Sequence, residues 1–133
     1  MNAGEALRAA RLDTEELRGF IHPVDPDRVT LRPAPSWMTR MWGKATGALT
    51  VGRRVFVRPD VLAGDPDALG RLVVHELVHV RQWSDYGPLS FLLRYLRRYL
   101  GGVLRGLGHR DSYQSNPYEV EAREAVERFG ITV

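Results

Sequence analysis

The chain has no cysteine, a single lysine and no hydrophobic run of membrane-spanning length. Without cysteine there is no disulfide framework, no thiolate metal site and no cysteine-switch form of latency, so any metal must take nitrogen and oxygen ligands. The most apolar stretch, Phe91 to Leu107, is broken by arginines, whereas a spanning helix needs roughly 20 apolar residues in a row. The opening segment MNAGEALRAARLDTEEL lacks the apolar core of a secretory signal and carries acidic residues that transit peptides avoid. A soluble, cytoplasmic protein is expected.

Lysine is nearly absent but charge is not: Lys44 stands alone among nineteen basic residues, the rest being arginine. The net charge is only +3, with a pI near 9.7. Arg97 and Arg98, interleaved with Tyr95 and Tyr99, raise nucleic acid or an anionic membrane as partners. No nucleic-acid signature motif accompanies them and the net charge is modest, so nucleic-acid binding is not expected.

What is present suffices for one domain. A chain of 133 residues with 44% hydrophobic content can bury a core. Residues 1–27 read as an N-terminal helical segment, with a break near Asp13-Thr14, and residues 28–133 as the main body. Arg28 to Arg32 alternates like a strand. Ala48 to Val51 and Arg54 to Arg58 read as a hairpin with Gly52 leading a two-residue turn. Asp65 and Pro66 form an N-cap and first-turn pair that opens a helix running to about Trp83 or Ser84. A second long helix follows from Leu89 to about Leu107, with an interruption expected at Gly101-Gly102, and Asn116-Pro117 opens a last helix that reaches about Phe129. The expected class is α+β, with a small twisted antiparallel sheet, built on the hairpin of residues 48–58, packed on helices.

The first long helix is apolar nearly all round, which marks it as buried, yet it carries His75-Glu76-Leu77-Val78-His79. Side chains four apart stack on one side of a helix, so the two imidazoles can share an ion. Glu76 is rotated to their flank, where it can reach a metal-activated water without displacing a ligand. Zinc in catalytic sites takes three protein ligands, so one is still needed. In Asn116-Pro117-Tyr118-Glu119-Val120-Glu121-Ala122, both Glu119 and Glu121 flank the apolar face of the last helix. Asn116 and Glu119 also have capping-box spacing, in which the glutamate would only return to the cap amide. His109 is a further ligand or electrophile candidate. Tyr86, Tyr113 and Tyr118 are candidates for stabilising an oxyanion, and Gln82, one turn beyond His79, for supporting it.

Leu92, Leu93, Leu96, Leu100 and Leu104 form more apolar surface than one narrow stripe. Packing between the helices around the site is expected to cover most of it, the alternative being a docking role for the Arg/Leu-rich helix 89–107.

Taken in order, the hairpin ALTVGRRVFV, the helix HELVHVRQW and the segment NPYEVEAR resemble gluzincin-type zinc metallopeptidases. They most closely resemble the small metallopeptidase domain associated with bacterial extracellular contractile injection systems, over about Arg28 to Phe129. The resemblance implies a zincin-like minimal domain in which one zinc ion is held by His75, His79 and Glu119, with Glu76 as general base for peptide hydrolysis. It implies that the strand Arg54, Val55, Phe56, Val57 and Arg58 forms the edge along which a peptide substrate lies. The alternative expectation is a non-catalytic or attenuated zinc-stabilised accessory or cargo module of a bacterial secretion or injection system, and delivery by a specialised secretion system is compatible with either. One position departs from the related Glu-x-x-Ala-Asp pattern: Arg123 stands where an aspartate would orient a histidine ligand.

Overall fold

The computed structural model describes residues 1–42, 47–104 and 116–130. Two short helices come first, α1 (Ala3–Ala9) and α2 (Glu15–Phe20), each opened by a side-chain cap, Asn2 and Thr14 respectively. A 3-10 turn at Pro26–Arg28 leads into β1 (Thr30–Pro33), followed by α3 (Ser36–Trp42), β2 (Ala48–Val51), β3 (Arg54–Val57) and the single-turn α4 (Pro59–Leu62). Three longer helices complete the described chain: α5 (Pro66–Tyr86), α6 (Pro88–Leu104) and α7 (Pro117–Phe129). The class is α+β, as expected.

The sheet differs from expectation. It is mixed, with order β1-β3-β2: β3 pairs antiparallel with β2 and parallel with β1. β3 is therefore the central strand, so the expectation of a free edge at Arg54–Arg58 is corrected. Arg58 falls outside the strand, at the start of α4. The hairpin alone could not reveal this, because strand order depends on a long-range pairing with β1. The far side of β1 is covered as well: Asn2 bridges Thr30, and the Leu31 N–H donates to the Met1 carbonyl at 2.9 Å. Among the described residues, β2 carries the open edge.

The hairpin turn forms as its sequence requires. Gly52 sits at φ +62°, a left-handed value that a side chain disfavours. Asp65 caps α5, its carboxylate accepting from the Asp67 and Ala68 amides. That helix ends at Gly87, again at positive φ (+78°). The helix α6 runs without interruption through Gly101-Gly102 to Leu104. Glycine weakens a helix but, unlike proline, removes no hydrogen bond.

One apolar cluster joins the N-terminal helices to α5, the sheet and α7: Leu7, Leu17 and Ile21 share it with Val55, Val57, Val73, Val74, Leu77 and Ala122. The approach of α1 to α5 is very close, since a Cβ added at Gly70 would lie 2.2 Å from the Cβ of Ala10. Helix α6 behaves differently. Leu92, Leu93, Leu96, Leu100 and Leu104 remain 43–86% exposed, so packing does not account for them. The side of α6 that meets α7 is instead marked by Tyr95, which lies about 120° around the helix from the leucines. No helix among the described residues is long and apolar enough to cross a membrane.

Candidate metal centre

Three side chains converge where α5 meets α7. His75 and His79, one turn apart on α5, have ring centroids 5.0 Å apart. The Nε2 atoms of both rings lie 3.2 Å from Oε2 of Glu119 on α7. One ligand atom from each of the three lies within 4.8 Å of the others, so the group could hold a metal ion. The donor set is two imidazole nitrogens and one carboxylate oxygen, all on buried or partly buried residues.

The capping-box alternative for Glu119 is not the one adopted. Asn116 caps α7 through its own side chain, accepting from the Tyr118 amide at 3.1 Å. The Glu119 carboxylate turns to α5 instead, and its second oxygen accepts from the Tyr95 hydroxyl at 3.1 Å. Glu121, the other acidic candidate, accepts from Gln82 at 3.3 Å and does not join the cluster.

Gln82 determines the tautomer of His79. Its amide nitrogen donates to the Tyr118 carbonyl at 3.1 Å and to Glu121, so its oxygen must face His79 Nδ1, 2.8 Å away. Nδ1 therefore carries a proton, and Nε2 faces Glu119. This is the orienting role that the resemblance assigns to an aspartate at position 123. Arg123 is exposed here, and Gln82 on α5 itself supplies the support.

The electrostatics fit a site built for positive charge. Burial opposes protonation of His79, but hydrogen bonding to Glu119 and the nearby Glu76 and Glu119 charges prevail, raising its pKa to about 9. For Glu119, burial opposes ionisation, and the two imidazoles outweigh it and hold the carboxyl well below its usual range. Two nitrogens and a carboxylate oxygen that face one another need a cation between them, whether a proton or a metal ion.

Glu76, 6% exposed, lies close enough to this cluster for its charge to act on His79. The hydroxyl of Thr50 on β2 donates to its Oε2 at 2.6 Å. Neither Thr50 nor Tyr95 was singled out from the sequence as a site residue. The strand alternation carries a signal for Thr50, a hydroxyl on an otherwise inward-facing row. For Tyr95 the signal is its i, i+4 spacing with Tyr99, apart from the leucine face. Tyr86 and Tyr118 form an aromatic group with Tyr95, centroids 6.0 and 6.4 Å apart, next to the carboxylate of Glu119. His109 and Tyr113 lie outside the described residues.

Residues 24–87 match the family model of the eCIS core domain. The match links the chain to extracellular contractile injection systems. It contains the whole sheet, α5, His75, Glu76, His79 and Gln82, and it ends before α6 and α7, so Tyr95 and Glu119 lie beyond the matched core region. No curated protein and no solved structure matches the chain.

Proposed function

We propose that the chain is a zinc-dependent endopeptidase associated with a bacterial contractile injection system. The observation that carries this reading is the convergence of His75, His79 and Glu119 beside a buried Glu76 held by Thr50. Two histidines and a glutamate are a ligand set of catalytic zinc, and a zinc ion held there would acidify a water molecule and polarise a peptide carbonyl. Glu76 would accept a proton from the attacking water and return it to the leaving amine. Thr50 restrains the carboxylate through Oε2, which limits its rotation and keeps it aimed at the cluster. Tyr95 and Gln82 restrain Glu119 and His79 in the same way.

The open edge of β2 is the place for a substrate backbone. Gly47 C=O bonds to Arg58 N–H at 2.9 Å, and the antiparallel ladder alternates from there, so the backbone groups of Ala48 and Thr50 face outward. An extended peptide pairing with them would lie directly above Glu76. Backbone pairing of this kind holds a substrate with little sequence preference.

A second reading is a zinc-stabilised accessory or cargo module without turnover, docking through α6. The exposed leucines of that helix favour it. The deciding experiment measures metal content by elemental analysis together with cleavage of an unstructured protein. Wild type should carry near-stoichiometric zinc and cleave, Glu76→Gln should keep the zinc and lose turnover, and Glu119→Ala should lose both. Proteolysis undiminished in Glu76→Gln would remove Glu76 as the base. Zinc without turnover on unstructured substrates would favour the second reading.

A further inference from the structure

We infer that the cavity beneath the β2–β3 turn is a substrate pocket for an acidic side chain, an inference that rests on the peptidase reading and extends it. The cavity, about 590 Å³, lies between the hairpin turn, the segment preceding β1 and the C-terminal half of α5. It does not include the metal cluster, but two of its walls start from the pair of residues that anchors the site.

Thr50 and Glu76 touch. One helical turn on from Glu76 is Val80, about 6 Å along the axis of α5. Two residues on from Thr50 is Gly52, about 7 Å along β2. Both Val80 and Gly52 line the cavity. Measured along the helix and along the strand alike, the cavity lining therefore begins roughly 6–7 Å beyond the level of the Thr50–Glu76 contact. That is also the distance between side chains two apart in an extended peptide, about 6.8 Å. A peptide paired with β2 and cut beside Glu76 presents the side chain two residues from the scissile bond, on the hairpin-turn side, to the cavity mouth. The volume falls within the range of ligand pockets, about 300–1,000 Å³.

The lining selects the chemistry. Trp83 and Val80 provide an apolar wall, while Arg28 and Arg53 supply charge. The one carboxylate there, Asp25, is shared between Arg18 at 3.5 Å and Arg28 at 3.9 Å. Arg53 has no ion-pair partner among the described residues. The pocket is thus left net positive, with guanidinium donors suited to a carboxylate. Aspartate or glutamate is favoured there, and lysine or arginine is repelled.

The test profiles cleavage of a peptide library by zinc-loaded wild type, Arg28→Glu and Arg53→Glu. In parallel, calorimetry measures binding of an acidic peptide and its lysine-substituted twin to zinc-loaded Glu76→Gln. Wild type should prefer acidic over basic residues at the position two from the scissile bond by about 1.5-fold to fivefold, the range of solvent-exposed charge pairs. Arg53→Glu should abolish or reverse that preference, and in the Glu76→Gln background the same substitution should erase the advantage of the acidic peptide. Both arginines are exposed, so unchanged thermal unfolding is expected of the variants. Cleavage with no acidic preference, unaffected by Arg53→Glu, overturns the pocket and leaves the peptidase reading intact. Absence of cleavage, with Arg53-dependent binding of the acidic peptide, supports the pocket and overturns the peptidase reading. Absence of both overturns the two together.

Discussion

The hydroxyl of Thr50 donates to Oε2 of Glu76 at 2.6 Å, across the boundary between the open strand of the sheet and the buried helix that carries both histidines. Glu76 would otherwise be an ionisable group set into an apolar helix without a donor from the sheet, an arrangement that is costly. Thr50→Val keeps the shape and removes the donor. It should destabilise the protein by about 1–3 kcal/mol, the cost of a buried polar group left unsatisfied. On the proposed peptidase reading, with Glu76 as base, turnover should also fall, through kcat more than through KM. Chemical denaturation and steady-state kinetics on the same preparation check both.

Gln82 holds the Nδ1 side of His79. Gln82→Ala should therefore weaken metal binding by about 10–100-fold, the usual consequence of losing a group that orients a ligand. Arg123→Asp restores the carboxylate of the related pattern, yet should change affinity by less than about tenfold, since the place beside His79 is already filled. Competition with a chromogenic chelator measures both variants.

The charges of the cluster predict an unusual pH profile for protein kept in chelator. The pKa of His79 is raised from 6.5 to about 9, so its contribution is complete below pH 6.5 and is lost as pH rises through 9. Glu119 is shifted the other way, so its contribution is present above its ordinary value of 4.5 and is lost as pH falls below that. Stability without metal should peak between about pH 4.5 and 6.5. Metal competes with the proton on His79, so added zinc should stabilise more strongly at pH 8 than at pH 6. Thermal melts with chelator and with zinc across this range would show a flat difference if the cluster does not bind the metal.

Gly70 lets α1 approach α5. Gly70→Ala would place its methyl 2.2 Å from the Cβ of Ala10, and such overpacking costs about 1–3 kcal/mol. Although alanine favours helices over glycine, the net effect should be destabilising. A midpoint of denaturation at or above wild type would show that the N-terminal helices move aside without penalty.

Much of the helical layout could be read directly, because its signals are local. Asp65-Pro66, Thr14 and Asn116-Pro117 open helices where capping chemistry places them, and the glycine-led turn closes the hairpin. The exposed leucines of α6 and its continuity through Gly101-Gly102 were not legible. Whether a leucine face is covered depends on which other elements reach it, and Tyr95, not the leucines, turned out to face α7.

The shared face of His75 and His79, with Glu76 at its flank, was determined by sequence alone, since a four-residue spacing on a helix fixes which side chains stack. The candidacy of Glu119 was equally visible, but the choice among ligand, cap and bystander was not. Only the packing of α7 against α5 brought its carboxylate to both imidazoles, gave Glu121 to Gln82, and set Thr50 against Glu76. The same holds for the sheet: pairing between β1 and β3 joins segments more than twenty residues apart, and it moved the open edge from β3 to β2. Short-range periodicity prescribes faces and caps, whereas the meeting of faces distant in sequence is decided by the fold as a whole.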